Sequence, residues 1–189
     1  MKVREAIYTR RTIRKFKPDP ISDDILREIV EAARFAPSAS NMQPLKYKLV
    51  GTADAARVFP HVHWAGAIRP AGDPKPGEEP TAYILILADT NIRKAGYDMD
   101  VGIAAESMTL AALEMGIGSC MMGAIDRPEI KKESGIPEHL ALSLVLALGY
   151  PAQKPVAVEM ADPAKYSYWL TEEGVLTVPK RPLDEIIVE

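Results

Sequence analysis

The chain has 189 residues, enough for one core of ordinary size. Its 47% hydrophobic and 26% charged residues exclude a disordered chain. With 23 Lys and Arg against 26 Asp and Glu, the net charge of -3 excludes a strongly basic nucleic-acid binder, and the single cysteine excludes an internal disulfide and a cysteine-rich metal centre.

The N-terminus is charged throughout and lacks the apolar stretch of a secretory signal. It predicts a short helix over 3–9, followed by the basic run Arg10-Arg11-Thr12-Ile13-Arg14-Lys15. Ser22 is a good N-cap, with Asp23 and Asp24 in the first turn, where acids complement the helix dipole. Ile25, Leu26, Ile29, Val30 and Ala33 mark one helical face, and Pro37 stops that helix near Phe35 or Ala36. A polar loop follows, Pro37-Ser38-Ala39-Ser40-Asn41-Met42-Gln43-Pro44. Tyr47 to Val50 reads as a strand, Ala53 to Phe59 as a short helix, and 66–80 as a long irregular loop rich in proline and glycine.

Ala82 to Ala88 has the length and branching of a buried strand. Asp100 to Met115 is the clearest helix, apolar over most of its circumference, with Gly116 placed to end it. Ser119 to Ala124 is extended. Asp126-Arg127-Pro128-Glu129 opens another helix in the manner of a capping box. Leu140 to Leu148, broken by Ser143, is a second buried strand and far too short to span a bilayer, which takes ~20 residues. After Pro151 the chain reads as irregular, with a final strand expected within 179–188. The succession of elements lacks a strict βαβ rhythm. It predicts one α+β domain over 1–189, with helices around a single sheet, and a soluble cytoplasmic protein with neither membrane nor nucleic acid as partner.

Four cations within six residues, Arg10, Arg11, Arg14 and Lys15, offer paired donors suited to a phosphate, although such a run also serves as a solvated turn. Ser38, Ser40, Asn41 and Gln43 put donors and acceptors on one loop, where they read a heterocycle edge or simply cap the turn. Gly116-Ile117-Gly118-Ser119-Cys120-Met121-Met122-Gly123 has neither the spacing nor the position of a dinucleotide fingerprint; its glycines allow close backbone approach to a flat ligand. Cys120 has no basic neighbour in sequence to activate it and reads as a small hydrophobe. His61 and His63 form an H-x-H pair with no third ligand suggested, so no metal site is expected. No hydrolase or triphosphatase motif is present, and spacing alone names no reaction.

Taken in order, Arg10 to Phe16, Ala36 to Pro44, Gly116 to Cys120, Leu148 to Pro151 and the ending Lys180 to Ile187 resemble the nitroreductase family of FMN-dependent oxidoreductases. The resemblance covers nearly the whole chain. It implies an α+β fold with a central, mostly antiparallel sheet flanked by helices, and a homodimer with FMN at the subunit interface. It implies that Arg10, Arg11 and Thr12 hold the phosphate and ribityl chain. Arg181, with Lys180, is then a second phosphate clamp, and Arg14 is the cation near flavin N1 and O2. Pro37, Ser38, Ala39, Asn41 and Gln43 belong to the segment that reaches the flavin from the other subunit. Gly118 and Ser119 line the same wall, and Met122 and Gly123 bring backbone N–H groups toward flavin N5. The implied chemistry is ping-pong, with NAD(P)H as donor and a nitroaromatic, quinone or similar small molecule as acceptor, and no side-chain acid or base is required. Related readings are reductive dehalogenation, enone reduction or flavin breakdown on the same frame, or an FMN storage or sensing module without turnover. The chain is short for the family, which leaves 66–80 as the candidate for a reduced substrate lid.

Overall fold

The structure, a computed structural model, describes residues 1–64 and 66–188. Its centre is a four-stranded sheet in the order β1-β2-β4-β3, formed by β1 (Leu45–Val50), β2 (Ala82–Asp89), β3 (Gly118–Met122) and β4 (Leu140–Gly149), with every neighbouring pair antiparallel. The expected antiparallel sheet flanked by helices is therefore present.

The apolar run of β2 is explained by burial on both faces. Ala82, Ile84 and Ile86 meet α2 (Asp23–Arg34) and α4 (Asp98–Glu114) through Leu26, Ile29, Ala105 and Met108. Tyr83, Leu85 and Leu87 point the other way, toward α3 (Ala55–Val58), α5 (Arg127–Glu133) and the inward residues Ile13 and Phe16. Period-2 alternation thus divides one strand between two cores. Ser22 caps α2 as expected, accepting from the Ile25 N–H at 3.4 Å, and Asp126 caps α5, accepting from the Glu129 N–H at 3.3 Å.

The register of β4 on β2 slips between Ile86 and Leu87, where Leu144 faces Ile86 but Leu142 faces Leu87. Ser143 is the extra residue of a β-bulge, which turns Leu142 into the core opposite to that of Leu146 and Leu148. Arg127 closes the irregularity. Its Nε donates to Leu142 O at 3.1 Å, and its Nη2 to Ser143 O and Gly123 O, each at 3.2 Å.

Two expectations are corrected at the C-terminal end. The chain after Pro151 is not irregular: β5 (Val156–Glu159), β6 (Trp169–Leu170) and β7 (Leu176–Lys180) form a small sheet in the order β5-β7-β6, with β5 parallel to β7. The final strand ends at Lys180, and Leu183–Ile186 is one helical turn, α6, entered through Pro182, with Asp184 and Glu185 in its first turn. The N-terminal helix, α1 (Val3–Thr9), lies where expected, and α4 begins two residues before Asp100. No helix among the described residues is long and apolar enough to cross a membrane.

Candidate functional site

The basic run is fastened to the open edge of the central sheet. Thr12 bridges to Ser119 of β3, and the Ile13 N–H donates to Ser119 O at 2.9 Å. Further on, Phe16 N donates to Glu78 O at 2.9 Å, Lys17 N to Tyr150 O at 2.7 Å, and Ala152 N to Lys15 O at 2.9 Å. Two glycines permit this close lie. A Cβ on Gly118 would stand 2.8 Å from Ile13 Cγ1, and one on Gly149 would stand 2.6 Å from Phe16 Cδ1. The sequence assigned the 116–123 glycines to close approach of a ligand; at Gly118 the group admitted is the chain itself. The 66–80 loop is tied down at its end, through Glu78 O and a Lys15–Glu78 ion pair of 3.6 Å.

The three arginines of the run have different surroundings. Arg10 Nε lies 3.1 Å from Glu106 Oε1 on α4, and Glu106 also accepts from the Thr109 hydroxyl at 3.1 Å. Arg11 donates through Nη1 to Arg10 O at 2.5 Å, and its Nε is buried without a partner. Burial, and then the charge of Arg10, lower the affinity of Arg11 for its proton. Arg14 is 8% exposed, and its Nε is also buried and unpartnered. Its guanidinium stands 4.9 Å from the ring centre of Tyr168, with Nη2 donating to the Tyr168 hydroxyl at 3.4 Å.

A cavity of about 520 Å³ opens beside this run, lined among others by Arg10, Arg11, Thr109, Gly118, Ser119 and Val156. The polar loop lies elsewhere. Pro37, Ser38 and Gln43 line a second cavity of about 690 Å³ with Tyr47 and Asp100. Ser38 Oγ donates to Asp100 Oδ2 at 2.7 Å and accepts from the Gln43 N–H at 3.0 Å, while Ala39 N donates to Asp100 Oδ1 at 3.3 Å. Burial, and then the charge of Asp100, push the Tyr47 hydroxyl up to about 12.

The other expected residues are scattered relative to these two cavities. Met122 is in the core, and exposed Gly123 follows β3 with its carbonyl held by Arg127. Lys180 and Arg181 line neither cavity; Arg181 pairs with Glu185 and donates to Pro163 O at 3.3 Å. Cys120 is buried, and burial pushes its thiol up to about 11 against a smaller downward pull from Arg14, so it is an inert apolar filler. His61 Nε2 lies 3.3 Å from Glu133 Oε1, while His63 is exposed. Among the described residues no group of three or more His, Cys, Asp and Glu is placed to hold a metal.

One chain therefore unites the motifs at 10–16, 116–120 and 148–151 and keeps the 37–43 loop apart from them. The separation has a measurable origin. Asp100, which holds the loop, and Leu113, at the 520 Å³ cavity, stand near opposite ends of α4. Thirteen residues of helix separate them by about 20 Å at 1.5 Å per residue. Three residues that hold the site, Asp100, Glu106 and Arg127, carry no local sequence signal: Asp100 and Glu106 are polar positions of an otherwise apolar helix, and Arg127 is a first-turn residue.

Comparison with known proteins identifies the family. A protein of Archaeoglobus fulgidus, provisionally named an NADH dehydrogenase/NAD(P)H nitroreductase, is 34% identical over 163 residues, spanning 82% of this chain and 89% of its own. The FMN reductase [NAD(P)H] of Bacillus subtilis is 25% identical over 172 residues, spanning 79% of this chain and 66% of its own. The solved structure of a nitroreductase family protein from Streptococcus pneumoniae superposes with a TM-score of 0.71 over the whole of both chains at 20% identity. The model of the nitroreductase family matches residues 7–150, and the chain belongs to that family.

Proposed function

We propose that the chain binds FMN and with it carries reducing equivalents from NAD(P)H to a small acceptor such as a nitroaromatic or a quinone. The observation that carries this reading is Arg11 at the 520 Å³ cavity, a half-buried cation whose Nε is itself buried and has no partner. A buried donor left unpaired costs about 1–3 kcal/mol, and an anion brought into the cavity removes that cost. The donor set suits a phosphate-bearing flavin. Arg10, Arg11 and Thr12 hold the phosphate and ribityl chain, with Ser119 on the same wall. Arg14, fixed on the face of Tyr168, is a buried cation with a free Nε and suits the electron-rich pyrimidine edge. Met122 and Gly123 offer backbone N–H groups toward N5, and Arg127 holds the Gly123 carbonyl in place. Lys180 and Arg181 form a further clamp when Arg181 exchanges Glu185 for phosphate.

When bound, FMN supplies the two-electron chemistry that the chain's own side chains lack. The names borne by the Archaeoglobus and Bacillus relatives support the same donor and cofactor. The ~20 Å of α4 between Asp100, which holds the loop, and Leu113, at the far side of the cavity, supports a homodimer. Two copies related by a two-fold axis perpendicular to α4, so that the two helices run antiparallel, bring the 37–43 loop of one to the Arg10–Ser119 cavity of the other, using the apolar circumference of that helix as interface.

The test is a visible absorption spectrum of the purified protein under anaerobic conditions, before and after addition of NADH or NADPH. A flavin band that bleaches is the expected result. A bound flavin that neither nucleotide reduces turns the reading to storage or sensing. Absence of a flavin band even after adding FMN overturns it.

A further inference from the structure

We infer that Asp100 is the positioning residue that fixes the 38–43 loop in the shape through which it serves a flavin site, an inference that rests on the function proposed above. Asp100 is 3% exposed and sits in the first turn of α4, where the helix N-terminus favours its charge. Arg93 adds a cation 3.8 Å from Oδ2. Each carboxylate oxygen takes one donor from the loop, the Ser38 hydroxyl at 2.7 Å and the Ala39 N–H at 3.3 Å. Ser38 passes the hold onward, since its Oγ accepts from the Gln43 N–H at 3.0 Å. Asp100 thus closes the loop at both ends through one intermediary.

The enclosed backbone needs such a hold. Ser40, Asn41 and Gln43 have φ of 53°, 53° and 49°, in the left-handed region that residues with a Cβ enter only when their surroundings impose it. The loop's remaining hydrogen bonds are local, Asn41 N to Ser38 O, Met42 N to Ala39 O and Gln43 Nε2 to Asn41 O. Among the described residues, Asp100 provides the only side-chain hydrogen bonds from 38–43 to another element. The carboxylate acts on the ligand only through Ser38 and the backbone it orders.

The test compares the full-length wild type with Asp100→Asn, Ser38→Ala and the double variant, using two readouts. Amide hydrogen exchange over 39–43, measured without flavin, reports the loop. FMN titration by fluorescence reports the site. Exchange confined to this loop is expected to quicken roughly tenfold in each single variant, and the FMN Kd to rise roughly tenfold. The double variant should bind FMN no more weakly than Asp100→Asn, because both changes cut one relay. Unchanged exchange in Asp100→Asn overturns the inference. So do faster exchange with unchanged Kd, and losses that add in full in the double variant. If Asp100→Asn does not fold, Ser38→Ala decides through the same two readouts. A wild type that takes up no FMN refutes the proposed function instead, and exchange still decides whether Asp100 holds the loop.

Discussion

Arg10 and Arg11 are neighbours in sequence and differ in what they already hold. Arg10 is neutralised by Glu106 at 3.1 Å, so an incoming phosphate must share it with a carboxylate. Arg11 has only the Arg10 carbonyl and an unpartnered Nε. Arg11→Ala should therefore raise the FMN Kd roughly 10- to 100-fold, the worth of charge-assisted hydrogen bonds. Arg10→Ala should raise it less than about fivefold, because Glu106 already takes up part of the Arg10 charge in a partly exposed pair. Fluorescence titration of both variants checks the order; equal losses would mean that Glu106 releases Arg10 when the anion binds. At this scale the sequence shows which residue types carry the chemistry and hides how they are paired. The basic run and the Ser-Asn loop were legible because their composition is unusual. The Glu106 partner of Arg10 lies 96 residues away, and no local pattern marks it.

Among the elements, those governed by local period were legible and those governed by distant pairing were not. The apolar stripe of α2 and the unbroken apolar run of β2 follow directly from side-chain spacing. The small C-terminal sheet escaped because β5 pairs in parallel with a strand about twenty residues downstream, across β6. The stretch 12–17 escaped for a related reason: it is an edge element made by single bridges, and its place depends on two glycines far along the chain. Gly118→Ala tests that dependence. The added methyl meets Ile13 Cγ1 at 2.8 Å against a packed sheet, so destabilisation of about 1–3 kcal/mol is expected. For a chain of this size that lowers Tm by roughly 2–4 °C per kcal/mol. Because Arg11, Thr12 and Arg14 ride on the same segment, FMN binding should weaken with it. Adding Ile13→Ala should make the double variant more stable than the sum of the two losses, since the clash loses one of its partners. Strict additivity would place the strain elsewhere.

For the whole molecule, the length of α4 is the governing quantity. Its rigid rod carries Asp100 and the 38–43 loop near one end and Leu113 of the Arg11 cavity near the other, about 20 Å of helix apart. If each flavin site takes its phosphate residues from one chain and its loop from the other, two defective chains can repair one another. An Arg11→Ala chain retains a sound loop, and an Asp100→Asn chain retains a sound phosphate cradle. In a mixed dimer one site receives both defects and the other receives neither. Each variant alone should bind FMN weakly at every site. Unfolding and refolding an equal mixture should produce mixed dimers as about half of all dimers, each with one intact site, by random pairing of a two-fold assembly. Tight FMN sites should then reappear at about one quarter of the wild-type number, readable as the stoichiometry of a high-affinity phase in the titration. A site completed within one chain predicts no such phase, because every chain in the mixture carries a defect of its own. The complementation thus separates a shared site from two independent ones without requiring the acceptor to be known.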